Sequence, residues 1–329
     1  MNNYFLSVSS SPHIRSPRTT RSLMADVLIA LAPAMVMAIV YYRFYALTKI
    51  LVCVAVAVAA EYIWNFLMKR EQTAGDLSAA VTGALIALNL SPLTPFWIGA
   101  LGSVFAIIIV KMLFGGIGHN FLNPALAARA FLMASWPVQM TNFLSTGQDA
   151  VTLSPAAADA FSSATLMQAM RIDPDVHVNL QALFFGHTGG CLGETSAMAI
   201  LIGAVYLIVR RVIHWEIPSI YVLGTGILCT AFSPNGFFQG NFLYQVLGGG
   251  LLLGACFMAN DYTTSPMTRR GKIIYALACA FMTFVIRRFG GYPEGVSYSI
   301  LIMNLFVPLI DRWTVPKVFG EEAKHVTKS

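Results

Sequence analysis

Ten apolar runs dominate this chain, most of them near the roughly 20 residues needed to cross the hydrocarbon of a bilayer. They fall at 24–42, 49–67, 77–91, 96–114, 121–137, 195–213, 217–232, 243–260, 272–288 and 294–310. A backbone in lipid finds no water for its N–H and C=O groups, so each run must satisfy them within itself as a helix. The expected fold class is therefore an all-α integral membrane protein of about ten transmembrane helices. Composition bears on this at one point. Charged residues make up 11% of the chain and hydrophobic ones 57%, against about 25% charged in a soluble domain. That is too few to coat a surface facing water. Residues 1–22 are polar and basic with no apolar core, so no cleavable signal peptide is expected and the first span must direct its own insertion.

The net charge of +6 comes from short basic clusters between apolar runs. That pattern reports membrane topology rather than nucleic-acid binding. With the N-terminus inside, inner segments collect fifteen Lys and Arg residues, among them Arg15, Arg18, Arg21, Lys69, Arg70, Lys111, Arg210, Arg211, Arg269 and Arg270. Outer segments collect five: Arg43, Lys49, Arg171, Arg287 and Arg288. Ten spans return the chain to its starting side, so both termini are expected inside. One long non-apolar stretch, residues 138–190, then lies outside. An internal repeat is also visible. Gly83-Ala84-Leu85-Ile86-Ala87-Leu88-Asn89 resembles Gly254-Ala255-Cys256-Phe257-Met258-Ala259-Asn260, Ser91-Pro92 is echoed by Ser265-Pro266, and Phe114-Gly115-Gly116 by Phe289-Gly290-Gly291. Five spans separate each pair, and an odd number inverts orientation. The expected organisation is two inverted five-helix repeats, with a site at their interface. Residues 1–137 hold the N-terminal segment and first repeat, 138–190 the outer loop, and 191–329 the second repeat and tail.

Ionisable groups are costly within a membrane, which singles out Asp26, Glu61, Asp76, Arg129, Glu194 and Asp261. Most lie near span ends, where an interfacial or structural role suffices. Arg129 is the deepest by these boundaries and needs a partner. Asp261, beside Tyr262-Thr263-Thr264-Ser265 at the inner end of the eighth span, is the candidate acid of an ion path. The five cysteines, Cys53, Cys191, Cys229, Cys256 and Cys279, form no CxxC. They are expected to be small apolar fillers rather than iron–sulfur ligands. The histidines show no metal-ligand spacing, and His119 is expected to be structural. Trp64, Trp97, Trp136, Trp215 and Trp313 fall near span ends, as interfacial aromatics do.

The outer loop carries Asp159-Ala160-Phe161-Ser162-Ser163-Ala164-Thr165. This segment resembles the D-x-x-[ST]-x-A-T signature of proteins that receive FMN through a phosphoester to the final threonine, here Thr165. Leu166 stands where that family often has proline. A secondary hydroxyl is a poor nucleophile unless an enzyme activates it, and the resemblance implies a separate flavin transferase. The small neighbours Ser162, Ser163 and Ala164 leave room for it to dock. A tether also keeps a cofactor outside the cytoplasm at an effective concentration on the order of millimolar.

Longer strings extend the resemblance from about residue 10 to about 320. They are Ser11-Pro12-His13-Ile14-Arg15 with Met24 to Pro33, Gly115-Gly116-Ile117-Gly118-His119-Asn120-Phe121-Leu122-Asn123-Pro124-Ala125, Gly189-Gly190-Cys191-Leu192-Gly193-Glu194-Thr195-Ser196-Ala197, and Phe289 to Val296. Together they are similar to the NqrB/RnfD family of ion-translocating electron-transport membrane proteins, and within it to the Rnf group. The related B subunit of the sodium-pumping quinone reductase normally has a longer N-terminal extension. The resemblance implies a multi-pass protein of the bacterial inner membrane with covalent FMN on Thr165 and a second, non-covalent flavin, riboflavin. It implies electron transfer between reduced ferredoxin and NAD⁺ coupled to Na⁺ or H⁺ movement. Partners would be the A, B, C, E and G subunits of the Rnf complex, with the NAD and ferredoxin sites on those partners. Gly189, Gly190 and Gly193 could offer amides to a phosphate or a flavin oxygen, and Arg129 is a further candidate cofactor contact. Glycines also permit tight helix packing. A solute channel or transporter would show the same inverted repeats, and a membrane scaffold would bind no flavin. The segment ending at Thr165 separates the redox reading from both.

Overall fold

A computed structural model describes residues 18–143, 151–152, 177–186, 189–233, 236–238, 240–291 and 295–316. Within them the chain is helical: α1 (Thr20–Tyr42), α2 (Phe44–Leu67), α3 (Ser78–Leu88), α4 (Phe96–Met112), α5 (Pro124–Ser135), α6 (Pro137–Thr141), α7 (Leu180–Phe185), α8 (Ala197–Val209), α9 (Glu216–Ala231), α10 (Phe242–Leu247), α11 (Leu251–Leu253), α12 (Arg269–Phe289) and α13 (Val296–Thr314). The last turns of α4, Phe105–Met112, are π-wound, and α11 continues as a π-wound segment, Gly254–Met258. A 3-10 turn, Ala74–Asp76, precedes α3, and two short antiparallel pairs complete the description, β1 (Val151–Thr152) with β2 (His177–Val178) and β3 (Phe232–Ser233) with β4 (Gly236–Phe237). Residues 138–190, expected as one loop, therefore include α6, α7 and a strand pair.

The ten apolar runs coincide with helices, but they differ from the expected spans in length. α1 and α2, at 23 and 24 residues, are long and apolar enough to cross a bilayer. α3 has 11 residues and α5 has 12. At about 1.5 Å per residue such helices fall well short of a 30 Å hydrocarbon core. The run 243–260, expected as one span, is broken by Gly248-Gly249-Gly250, where Gly249 and Gly250 take φ of 68° and 65°. A side chain is disfavoured in that left-handed region, so the glycines turn the chain. Every residue of α3 and of 251–258 is buried. These short helices are enclosed by the others, which is where irregular backbone is tolerated in a membrane protein.

Local chemistry sets the helix ends. Thr19, Asn123, Ser196 and Thr268 are N-caps whose side-chain oxygens accept amide hydrogens from the first turns of α1, α5, α8 and α12. Asp76 Oδ1 accepts from the Ser78 amide at 2.8 Å and starts α3. Asn89 ends it by donating from Nδ2 to Leu85 O at 2.7 Å, and Asn260 donates in the same way to Ala255 O at 2.8 Å.

In the first half α2 packs on α3 and α4; in the second, α9 packs on α12, and α12 on α13. The halves meet where α1 lies along α8 and α5 touches α13. Glycine permits this closeness. A Cβ on Gly83 would stand 2.7 Å from Cys53 O, and one on Gly203 would overlap Ala30 O and come 2.9 Å from Phe257 Cζ. Gly203→Val should therefore force α8 off α1 and abolish accumulation of assembled protein, read by size-exclusion chromatography. Gly75→Ala, with nothing within 4 Å of its Cβ, should be tolerated. Equal yields for both would contradict the packing. The outward faces are apolar, with Phe66 70% and Val209 74% exposed, a surface suited to lipid or to other membrane helices.

Three basic residues from the charge count prove to be buried. Lys49 donates from Nζ to Ser91 O at 2.6 Å and also to Pro92 O, closing the carbonyls beyond α3. Lys111 pairs with Glu61, and Arg287 donates to the Gln245 carbonyl beside the glycine break. Their burial follows from local needs: exposed helix-end carbonyls and one buried carboxylate.

Candidate functional site

Two polar sites lie where the short helices end. The first gathers around Arg129, which α5 carries on a buried face. Its guanidinium donates from Nη1 to Asn89 Oδ1 at 2.5 Å and lies 3.6 Å from Glu194 Oε1, while Nη2 lies 3.6 Å from Cys191 Sγ. Asn89 is held in place because its nitrogen is already spent on Leu85 O. The loop 189–196 closes over the end of α3: Leu192 N donates to Leu90 O at 3.0 Å and Gly193 N to Leu88 O at 2.7 Å. The Gly193 amide, expected to face a cofactor, is thus spent on a helix end. A Cβ on Gly190 would approach Glu194 Oε2 at 3.5 Å, and one on Gly250 would meet Glu194 Oε1. Four separate segments therefore converge on one buried ion pair. The hydroxyl of Tyr42 is buried there without a hydrogen-bond partner among the described residues. Cys191 belongs to this site rather than to an apolar filling; the other four cysteines are buried within helices as expected.

The second site is a cleft enclosing about 760 Å³, its open mouth included. Its walls come from both halves: Val81 and Leu85 on α3, Asn120 and Asn123 before α5, Leu207 on α8, and Phe257, Asn260 and Asp261 at the end of the broken helix. Asp261 Oδ2 accepts from Thr263 Oγ1 at 3.0 Å and Thr264 Oγ1 at 3.2 Å. Asn123 Nδ2 donates to Met258 O at 3.1 Å, so this helix end is closed by a loop of the other half, as α3 is.

Lys111 reaches the cleft wall with its ammonium between Glu61 Oε2 at 2.7 Å and Ser78 Oγ at 2.5 Å. Glu61, fully buried, also accepts from Thr73 Oγ1 at 2.6 Å. The pairing of Lys111 with Glu61 was missed in the sequence, although Lys111 is the one charge in the run 96–114 and Glu61 the one acid in the run 49–67. The remaining ionisable groups are structural: Asp26 accepts from Tyr206 and Arg210 at 3.0 and 3.2 Å, and Asp76 caps α3. His119 is exposed.

Of the expected site residues, the structure brings Arg129, Gly190 and Gly193 together with Glu194 and places Asp261 in the separate cleft. Gly189 precedes them and is partly buried. Ser162, Ser163, Ala164 and Thr165 lie outside the described residues.

Residues 7–320 match the NQR2, RnfD, RnfE family. The chain is 45% identical to the D subunit of the Na⁺-translocating ferredoxin:NAD⁺ oxidoreductase complex of Acetobacterium woodii, covering 97% of each chain. It is 39% identical to the D subunit of the proton-translocating ferredoxin:NAD⁺ oxidoreductase complex of Clostridium ljungdahlii, over 95% of this chain and 96% of that one. To the D subunit of the ion-translocating oxidoreductase complex of Halorhodospira halophila it is 35% identical, over 94% of each.

Proposed function

The chain belongs to the NQR2, RnfD, RnfE family, and from that premise we propose that it is the flavin-bearing, D-type member of a complex that couples electron transfer between reduced ferredoxin and NAD⁺ to movement of Na⁺ or H⁺. The observation that carries this reading is the cleft at Asp261, built by both halves of the chain and edged by a buried ion pair. Intramembrane ionisable groups of this kind mark ion or substrate pathways. The complex sits in the bacterial inner membrane, with Rnf-type A, B, C, E and G subunits as partners and the nicotinamide and ferredoxin sites among them.

The topology in this proposal is ten membrane-embedded helices in two inverted five-helix repeats, both termini inside. Matched packing supports it. α3 and the 251–258 helix are both short and buried, both followed by an asparagine that bonds back to its own helix, and both closed by a loop from the opposite half. Thr165 then lies in the outer segment and carries FMN, attached by a flavin transferase. Flavin supplies one- and two-electron chemistry when bound, and the protein supplies position and electrostatics.

The cleft suits a second, non-covalent flavin such as riboflavin. Asn120, Asn123, Asn260 and the Asp261 carboxylate supply donors and acceptors of the kind a flavin's pyrimidine edge needs, and Val81, Leu85 and Phe257 supply apolar walls.

Purified complex in liposomes, given reduced ferredoxin and NAD⁺, should take up Na⁺ or H⁺. Asp261→Asn should lower ion uptake per electron about tenfold, because an acid in an ion path is lost. Unchanged uptake at normal electron flux would remove Asp261 from the path. A wild-type complex that transfers electrons without moving either ion would overturn the translocase reading.

A further inference from the structure

A carboxylate shut inside a membrane bundle needs a positive partner, and for Glu194 the chain supplies its own. Arg129 Nη1 lies 3.6 Å from Glu194 Oε1 and donates to Asn89 Oδ1 at 2.5 Å. The side chains of Arg129 and Glu194 are each 8% exposed, and Asn89 is buried. Asn89 is fixed with its oxygen towards the cation, because Nδ2 already donates to Leu85 O. A third oxygen belongs to the same place. Tyr42, the last residue of α1, is 3% exposed and packs on Leu192 of the closing loop. It stands close enough to Glu194 and Cys191 to feel their charges. Its hydroxyl has no hydrogen-bond partner among the described residues. A buried hydroxyl left unbonded is costly, and a ligand that uses it would account for its being there.

These oxygens gather where α3 ends inside the protein. The C-terminus of a helix carries partial negative charge, and broken helices of transporters hold cations at such ends. α3 and the 251–258 helix each have one carboxylate at that end. Asp261 follows the second directly. Glu194 is brought to the first by the loop 189–196, whose Leu192 and Gly193 amides bond Leu90 O and Leu88 O. The two ends are neighbours. Leu85 on α3 and Ala125 on α5 line the cleft, and Asn89 and Arg129 stand four residues further along the same stripes, a rise of about 6 Å. Asn89 Nδ2 also lies 3.7 Å from Met258 Sδ, so the helix ends touch between the cleft and the ion pair.

We propose that Glu194, Asn89 and Tyr42 form a Na⁺ site, and that the Arg129 guanidinium fills it as a tethered cation in this conformation. The inference rests on the ion-translocating reading above and adds to it a second ion station, one helical turn from the cleft. A carboxylate, an amide oxygen and a phenol oxygen are hard donors of the kind that replace water around a small cation. The exchange conserves charge: one singly charged cation leaves the oxygens as another arrives, so Glu194 is never buried without a counter-charge. The Tyr42 hydroxyl gains in the Na⁺-bound state the contact it lacks here.

The test uses the assembled complex, and its first arm needs no turnover. Arg129→Ala removes the tethered cation, so its melting temperature should rise by several degrees when NaCl replaces choline chloride. The rise should vanish when Glu194→Gln is added. No Na⁺ effect in Arg129→Ala, or one that survives Glu194→Gln, would overturn the site. The second arm is Tyr42→Phe, which keeps the ion pair and removes only an oxygen with no partner. Its melting temperature should match the wild type, while the Na⁺ concentration for half-maximal electron transfer from ferredoxin to NAD⁺ should rise about tenfold. A structural role alone would move the melting temperature and not that concentration, and an unchanged Na⁺ dependence would overturn the site. If Arg129→Ala does not assemble, Arg129→Gln takes its place in the first arm. A wild type that pumps H⁺ with no dependence on Na⁺ overturns the site and leaves the translocation reading standing. A wild type that moves neither ion fails that reading instead, and the Na⁺-dependent melting of the Arg129 variant still judges the site.

Discussion

Replacing Thr165 with alanine should abolish covalent flavin on this chain and bring ferredoxin-to-NAD⁺ electron transfer through the complex down to background. The expectation rests on a single oxygen. A phosphoester needs a hydroxyl, and in the segment Asp159 to Thr165 the resemblance assigns that oxygen to the last residue. Ser162 and Ser163 are chemically able to carry phosphate but stand at other positions in the signature, so they should not rescue the alanine variant. Thr165→Ser keeps an alcohol at the same place and should retain part of the attachment. Flavin fluorescence of the denatured chain in a gel reads attachment, and steady-state NAD⁺ reduction reads its consequence. Fluorescence that survives in Thr165→Ala would move the bond to another residue, and full electron transfer without the flavin would remove this chain from the electron path.

The second large effect should come from Lys111→Met. Lys111 is 3% exposed and Glu61 fully buried, with 2.7 Å between Nζ and Oε2. Removing the ammonium leaves a carboxylate enclosed by protein without its counter-charge, at a cost of about 3–5 kcal/mol. The purified complex should melt several degrees lower and should fail to hold the non-covalent flavin proposed for the cleft, because Lys111 also lines it. Lys111→Met combined with Glu61→Gln removes both charges and should recover much of the stability but not the flavin. That pattern would separate the electrostatic role from the ligand role. A single variant as stable as wild type would show that the pair contributes no net stability.

Apolar run length located nearly every long helix, because lipid leaves the backbone no alternative. It did not reveal where helices stop inside the protein. The break at Gly248-Gly249-Gly250 is written in the sequence as three glycines, yet the surrounding leucines give the same hydropathy as a continuous span. The shortness of α3, buried along its whole length, follows from being enclosed by other helices, a tertiary fact that hydropathy does not carry. Arg129 was identifiable as a buried charge in need of a partner, but Glu194 lies 65 residues away along the chain and Asn89 lies 40 residues in the other direction. Only the fold brings them together. Gly193 illustrates the converse: a glycine-rich loop suggested free amides, and the structure spends that amide on Leu88 O.

Intact-mass analysis of the chain purified from a flavin-replete host, followed by peptide mapping, addresses the flavin assignment most directly. The predicted result is a polypeptide heavier by one FMN less one water, with the added mass on the peptide containing Thr165. An unmodified mass in complex that still transfers electrons would contradict it.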